Sequence, residues 1–257
     1  MTNLFDLSGK TALVTGASKG IGEMIATGLL QSGVRTYICS RKEDELFGTQ
    51  EKLSQYGECI AICADLSTYE GVVGLASKIK DSEPKLHILI NNAGATWGAA
   101  LEDFPETGWD KVMNLTVKSV FYLTTELLPS MRLASTSDDP ARVVNVGSIN
   151  GLSYSALQNY SYSASKAAVH HLSKQMAVDL AKDHINVNII APGFFPSKMT
   201  AHLLEDVGPM LEHIPRGRLG QLEDVAGTVI YLCSRASSFV TGDIIVLDGG
   251  QSLINKS

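Results

Sequence analysis

The run Thr11–Thr15 (TALVT) closes on Gly16-Ala-Ser-Lys-Gly20-Ile-Gly22, after which Ile21, Met24, Ile25 and Leu29 recur at helical spacing. Strand, glycine turn and helix in that order constrain this chain more than any other feature, because they form the first unit of a nucleotide-binding βαβ. Gly16, Gly20 and Gly22 permit a tight turn and a close approach of backbone to a pyrophosphate. Ser18 and Lys19 complete the turn, and the helix entered through Ile21 offers free N–H groups and positive potential to an anion. A second reading stays open here, in which the segment is a turn and nothing more.

The alternation continues to the end of the chain. Short apolar strands are expected at Val34–Cys39, Cys59–Ala64, Leu86–Ile90, Arg142–Val146, Asn186–Ile190 and Ile244–Leu247. Helical patterns separate them at Glu43–Tyr56, Thr68–Lys80, Trp109–Met131, Tyr160–Lys182 and Leu222–Ser234. Strands spaced by such helices specify a parallel sheet covered on both faces, an α/β fold of doubly wound Rossmann type. The polar loop Ser135–Pro140 is too short to be a domain linker, so residues 1–257 read as one domain. Ligands of such sheets bind outside the carboxyl ends of the strands. Asp65-Leu66 and Asn92-Ala93-Gly94 stand at such ends and are expected beside a cofactor, although Asp65 reads equally well as a helix N-cap.

The second strand ends in Ser40-Arg41-Lys42, where an acidic residue would hold ribose hydroxyls and an Arg accommodates a 2′-phosphate. Arg41 and Lys19 can face the same phosphate, which favours NADPH over NADH; a solvated surface arginine is the other reading. Glu43 and Asp44 suit the start of the following helix.

Composition narrows the function classes. A net charge of −6 without a basic block argues against nucleic acid, and no apolar run approaches the length of a membrane span. The start MTNLFDLSGK lacks the regions of a signal peptide, so a cytoplasmic protein is expected. Cys39, Cys59, Cys63 and Cys233 form no C-x-x-C and read as reduced, inert thiols. His170-His171 are adjacent, diverge on a helix, and read as surface or subunit contact; no metal is expected.

The chemistry concentrates between Val143 and Lys166. Tyr162 and Lys166 are four apart and share a helix face, with Ser148 opposite them at the end of a strand. A phenol beside an ammonium, facing a hydroxyl, is suited to moving a proton at a carbonyl or alcohol. A free phenol has a pKa near 10, and a positive charge at about 4 Å is worth roughly 4 kcal/mol at an effective dielectric of 20. The pair is therefore expected to bring the phenol down by about three pK units.

Taken in order, TGASKGIG at 15–22, NNAG at 91–94, Ser148, Tyr162-SAS-Lys166 and Pro192-Gly193 resemble the short-chain dehydrogenase/reductase family over essentially the whole length. The resemblance implies a seven-stranded parallel sheet, NAD(P) dependence and, as is usual in the family, a homotetramer. Within the family, NNAGATWGAALE (91–102), GWDKVMNL (108–115) and HINVNIIAPGFFPSKMT (184–200) are similar to β-ketoacyl reductases. By that resemblance Tyr162 is the general acid in reduction, Ser148 holds the substrate carbonyl, and Lys166 holds the nicotinamide ribose. The family's fourth catalytic position, an Asn in the long helix, is Thr116 here, with Asn114 two residues earlier on a different side. A threonine hydroxyl both donates and accepts, so it can hold a relay water, but it is shorter than Asn. Phe195 and Ser197 match positions that contact the nicotinamide carboxamide.

The segment 194–218 falls where the family covers its substrate, and Phe194, Met199, Leu203, Leu204, Met210 and Leu211 suit an acyl chain. A helix pair packed on the body of the protein is the alternative reading of that segment. The expected substrate is a 3-oxoacyl thioester on acyl-carrier protein or CoA. The alternatives are another alcohol or ketone, such as a sugar, steroid or small diketone, and a non-enzymatic NADP(H)-binding sensor.

Overall fold

The computed structural model describes residues 3–155, 157–196 and 208–254, without the side chains of Pro209 and Met210. Seven strands, β1 (Thr11–Thr15), β2 (Arg35–Ser40), β3 (Cys59–Cys63), β4 (Ile88–Asn91), β5 (Ala141–Val146), β6 (Ile185–Pro192) and β7 (Ile244–Leu247), form one sheet in the order β3-β2-β1-β4-β5-β6-β7. Every neighbouring pair is parallel. The helices are α1 (Gly20–Gln31), α2 (Glu43–Leu53), α3 (Tyr69–Ser82), α4 (Glu106–Met113), α5 (Ser119–Ala134), α6 (Tyr160–Leu180), α7 (Gly208–Leu211) and α8 (Leu222–Cys233).

Because side chains alternate across a strand, the sheet feeds two cores. Ala12, Val14, Ile38 and Ile90 turn to one face, where Ile25 and Leu29 of α1 and Val225 and Val229 of α8 cover them. Leu13, Leu89, Val143 and Val187 turn to the other, beneath Leu75 and Ile79 of α3, Leu123 and Leu127 of α5 and Met176 of α6. Full burial of such a side chain contributes about 1.5–3 kcal/mol, enough to fix the register of each strand. Strand order reverses between β1 and β4, so the crevice beyond their carboxyl ends is the ligand position that such a sheet provides.

The long helix expected over Trp109–Met131 is divided. Between α4 and α5 the chain widens into a π turn at Asn114–Lys118, closed by the Ser119 N–H donating to the Asn114 carbonyl five residues back. Such turns insert one residue without ending the helix, so apolar periodicity gives no warning of them. The thiols are unpaired, with Cys39, Cys59 and Cys233 buried and Cys63 exposed. Among the described residues no helix is long and apolar enough to cross a membrane.

Candidate active site

Gly16 (φ +64°) and Gly20 (φ +59°) both take the left-handed conformation that the turn after β1 requires. Asn92, just beyond β4, clamps that turn by donating its Nδ2 to the carbonyls of Thr15 (2.9 Å) and Gly16 (3.0 Å). The Thr15 hydroxyl in turn accepts from the N–H groups of Asn92 and Ala93, both at 3.0 Å. A Cβ on Gly16 would meet the Ala93 Cα at 2.8 Å, and one on Gly22 would overlap the Asn92 amide and the Gly16 carbonyl. The Asn92 side chain is therefore committed to the turn and faces it; only its backbone borders the crevice.

Helix α1 starts at Gly20 with Lys19 as N-cap, and no side chain caps it. Uncapped N–H groups behind a glycine turn are the arrangement that accepts a phosphate. Ile21 packs against the core and Ser18 accepts a 2.8 Å hydrogen bond from Thr49, so the turn is held from both sides. At the end of β2 the Ser40 hydroxyl accepts from the Lys42 N–H, and Arg41 is half exposed with its Nε 3.9 Å from Asp65. Lys19 pairs with Glu45 of α2 at 2.9 Å, a contact that the sequence reading did not anticipate. Asp65 is not the cap of α3, which is Thr68 accepting from the Gly71 N–H. Asp65 instead accepts from the Ser67 N–H and hydroxyl, while the Leu66 side chain enters the core. The glycine turn, the uncapped start of α1 and the half-exposed Arg41 fit a dinucleotide.

Beyond β5 the backbone of Ser148 is extended and opens the 3-10 turn Ile149–Gly151, its hydroxyl accepting from the Asn150 N–H. The same hydroxyl is hydrogen-bonded to the Tyr162 phenol on the first turns of α6. Lys166 follows one turn later, 4% exposed, with its Nζ donating to the Val146 carbonyl at 2.7 Å and lying 5.5 Å from the Tyr162 ring centroid. Buried amides set this register: Asn91 donates to Asn145 at 2.8 Å, and Asn145 donates to Ser173 of α6, also at 2.8 Å.

The electrostatics correct the expectation that the pair lowers the phenol's pKa. Burial pushes Tyr162 above its ordinary value of 10.0, with the Ser148 hydrogen bond pulling the other way. Burial draws the Lys166 ammonium down to about 8. A solvated pair at close range would lower the phenol, whereas here both groups have lost water and the ammonium is anchored on the Val146 carbonyl. The phenol is held protonated, the state of a proton donor.

Thr116 sits in the π turn, 1% exposed, and its hydroxyl has no partner. A Cβ placed on Gly94 would lie 3.7 Å from that hydroxyl and 3.8 Å from the Lys166 Nζ, so both groups border one small space. Asn114 instead lines a separate surface cleft with Leu66 and Tyr122. Pro192 ends β6, and Gly193 is bonded to the Leu247 carbonyl at 3.0 Å. Phe195 is 3% exposed, with its ring packed against Gly220 in the core. Ser197, Met199, Leu203 and Leu204 and the side chain of Met210 lie outside the described residues.

The histidine pair also departs from its reading. His171 is exposed, but His170 is buried beneath the Ser148 turn, a placement that needs the tertiary fold to be seen.

Sheet order, glycine turn and crevice define a Rossmann-type nucleotide-binding protein. The chain belongs to the short chain dehydrogenase family, whose profile matches residues 10–208. It is 48% identical over 96% of its length to the rhamnolipids biosynthesis 3-oxoacyl-[acyl-carrier-protein] reductase of Pseudomonas aeruginosa, covering 97% of that protein. It is 35% identical to the gluconate 5-dehydrogenase of Gluconobacter oxydans, with 96% of each chain covered. Among solved structures, the Pseudomonas aeruginosa RhlG/NADP active-site complex superposes with a TM-score of 0.95 at 47% identity, covering 98% of this chain and 100% of that one.

Proposed function

We infer that this protein is an NADPH-dependent reductase of 3-oxoacyl thioesters carried on acyl-carrier protein or CoA. The observation that carries the reading is the 48% identity to the Pseudomonas reductase along nearly the whole chain. The dinucleotide would be held by the glycine turn Gly16–Gly22, by Ser40, Arg41, Asp65 and Leu66, and by the backbone at Asn92–Gly94, Pro192-Gly193 and Phe195. When bound, NADPH supplies the hydride that the carbonyl carbon accepts. Tyr162 donates the proton to the carbonyl oxygen, and the Ser148 hydroxyl donates a hydrogen bond to the same oxygen as its charge grows. The Lys166 ammonium lies beside the phenol and would hold the nicotinamide ribose. Lys166 then passes a proton to the Tyr162 phenolate, and the Thr116 hydroxyl, unpartnered beside the same space, holds the water that returns a proton to Lys166.

Residues 194–218 cover the acyl chain. The loops after β4 and β5, the latter carrying Ser148, expose Leu101, Leu152, Tyr154 and Leu157, which would supply an apolar rim. Such a rim suits a hydrocarbon tail better than a polyol. The second reading, a dehydrogenase of sugar acids, has support in the gluconate relative and keeps the same proton chemistry. The protein acts in the cytoplasm as a homotetramer; exposed Phe121 and Tyr122 on α5 and Phe239 after α8 are suited to subunit contacts. Purified protein given NADPH and acetoacetyl-CoA is expected to oxidise the nucleotide. Turnover of gluconate with NADP, in place of acetoacetyl-CoA, would support the second reading instead.

A further inference from the structure

Tyr162, Lys166 and His170 are spaced by four and descend one face of α6. The mechanism uses the first two, and the third is fitted closely into the turn that carries Ser148. The His170 ring is 4% exposed and its Nε2 accepts from the Ser148 N–H at 3.4 Å. Glycines flank the ring within the turn that carries Ser148. A Cβ on Gly147 would overlap Nε2 and reach Cδ2 at 2.7 Å, and one on Gly151 would meet Cε1 at 2.8 Å. The turn is thus moulded on an imidazole, and no larger residue fits at either position without moving it.

Ser148 has an extended backbone (φ −169°, ψ 154°), from which its hydroxyl reaches Tyr162. Nε2 can accept from that N–H only if it carries no proton, so the ring proton belongs on Nδ1, which is buried without a partner. An orphaned donor is costly, and the Nδ1–H tautomer persists because Nε2 is needed as an acceptor. Burial first, then the charges of Lys166 and Lys174, draws the imidazole down to about 4, which keeps it neutral. Both lysines lie on α6; the turn 147–151 and strand β6, which close on the ring, bring no titratable side chain.

We propose that His170 is a positioning residue for the reaction: as a neutral Nδ1–H imidazole it holds the Ser148 backbone through Nε2 and so aims the Ser148 hydroxyl at the reacting oxygen. It acts through Ser148 and touches neither substrate nor dinucleotide. The proposal rests on the role assigned to Ser148 above.

The test compares His170→Leu, which fills the space without an acceptor, with His170→Gln, whose amide oxygen reaches the Nε2 position. His170→Leu is expected to lower kcat with acetoacetyl-CoA about ten- to a hundredfold with the KM for NADPH unchanged, a loss of the size that a misplaced group causes. His170→Gln is expected to recover most of that loss. Equal losses in both variants, or no loss in either, overturn the proposal. Imidazole 15N shifts of the wild-type protein supply an arm that needs neither substrate nor variant. A Nδ1–H tautomer that stays neutral from pH 8 to pH 5 supports the proposal, whereas a Nε2–H tautomer or titration near the ordinary value of 6.5 overturns it. If wild-type protein turns over no thioester, the reaction assigned above fails, and the tautomer still decides for His170.

Discussion

Gly22→Ala separates what the glycine turn does for the fold from what it does for the nucleotide. Gly22 lies inside α1 without a positive φ, so alanine there would by propensity alone stabilise the helix by about 1 kcal/mol. The structure reverses that sign. The added Cβ lies 2.9 Å from the Ala17 Cα and overlaps the Asn92 Nδ2 and Gly16 carbonyl, roughly 1 Å inside normal contact. Asn92 must withdraw, giving up two hydrogen bonds worth about 1 kcal/mol each, while the backbone overlap adds overpacking of about 1–3 kcal/mol. The net expectation is a loss of about 2–4 kcal/mol, or roughly 5–15 °C in Tm for a chain of this size. The control is Gly74→Ala in α3, where a Cβ meets nothing within 4 Å. That variant is expected to gain up to about 1 kcal/mol. Thermal and urea unfolding of both proteins, with NADPH affinity by fluorescence titration, measures the contrast. Gly22→Ala should lose nucleotide affinity together with stability. A Gly22→Ala protein as stable as the wild type would refute the argument that Asn92 and this glycine are interlocked.

Further outcomes follow from the same geometry. The folded-state pKa of Lys166 is lowered to about 8 from 10.5, so the unfolded chain binds the extra proton between those values. Wild-type stability should therefore rise with pH across that window and be flat in this contribution below it; Lys166→Met should lack the rise, as denaturation at several pH values would read. The same lysine makes kcat/KM for reduction fall as pH rises through about 8, which a pH–rate profile checks. Thr116→Val removes the buried hydroxyl that holds the relay water, so turnover should fall about tenfold while the fold is retained. Unchanged turnover would remove Thr116 from the relay. Arg41→Ala should narrow the preference for NADPH over NADH by about tenfold or more, read as the ratio of their kcat/KM values.

Much of this was legible in the chain. Apolar runs such as Leu13–Val14 and Ile88–Ile90 face two cores, so their composition alone marks buried parallel strands, and their turns mark the crevice. Tyr162 and Lys166 were legible because helical spacing is a local property. What escaped depends on contacts between distant segments. The clamp from Asn92 to Gly16 spans 76 residues, and the contact from Ser148 to His170 spans 22. The π turn at Asn114–Lys118 leaves no periodic trace, and the packing of the Phe195 ring against Gly220 joins segments that no local pattern connects. The direction of the Tyr162 shift was misjudged because distance can be guessed from spacing, whereas loss of water cannot.

The account stands most directly on Tyr162 as the proton donor. The decisive measurement is the rate of NADPH-dependent acetoacetyl-CoA reduction by Tyr162→Phe, with NADPH binding followed in the same preparation. Turnover should fall by about 10²–10⁴-fold, the usual contribution of a positioned general acid, with nucleotide affinity retained. Turnover within a few-fold of the wild type would contradict the account.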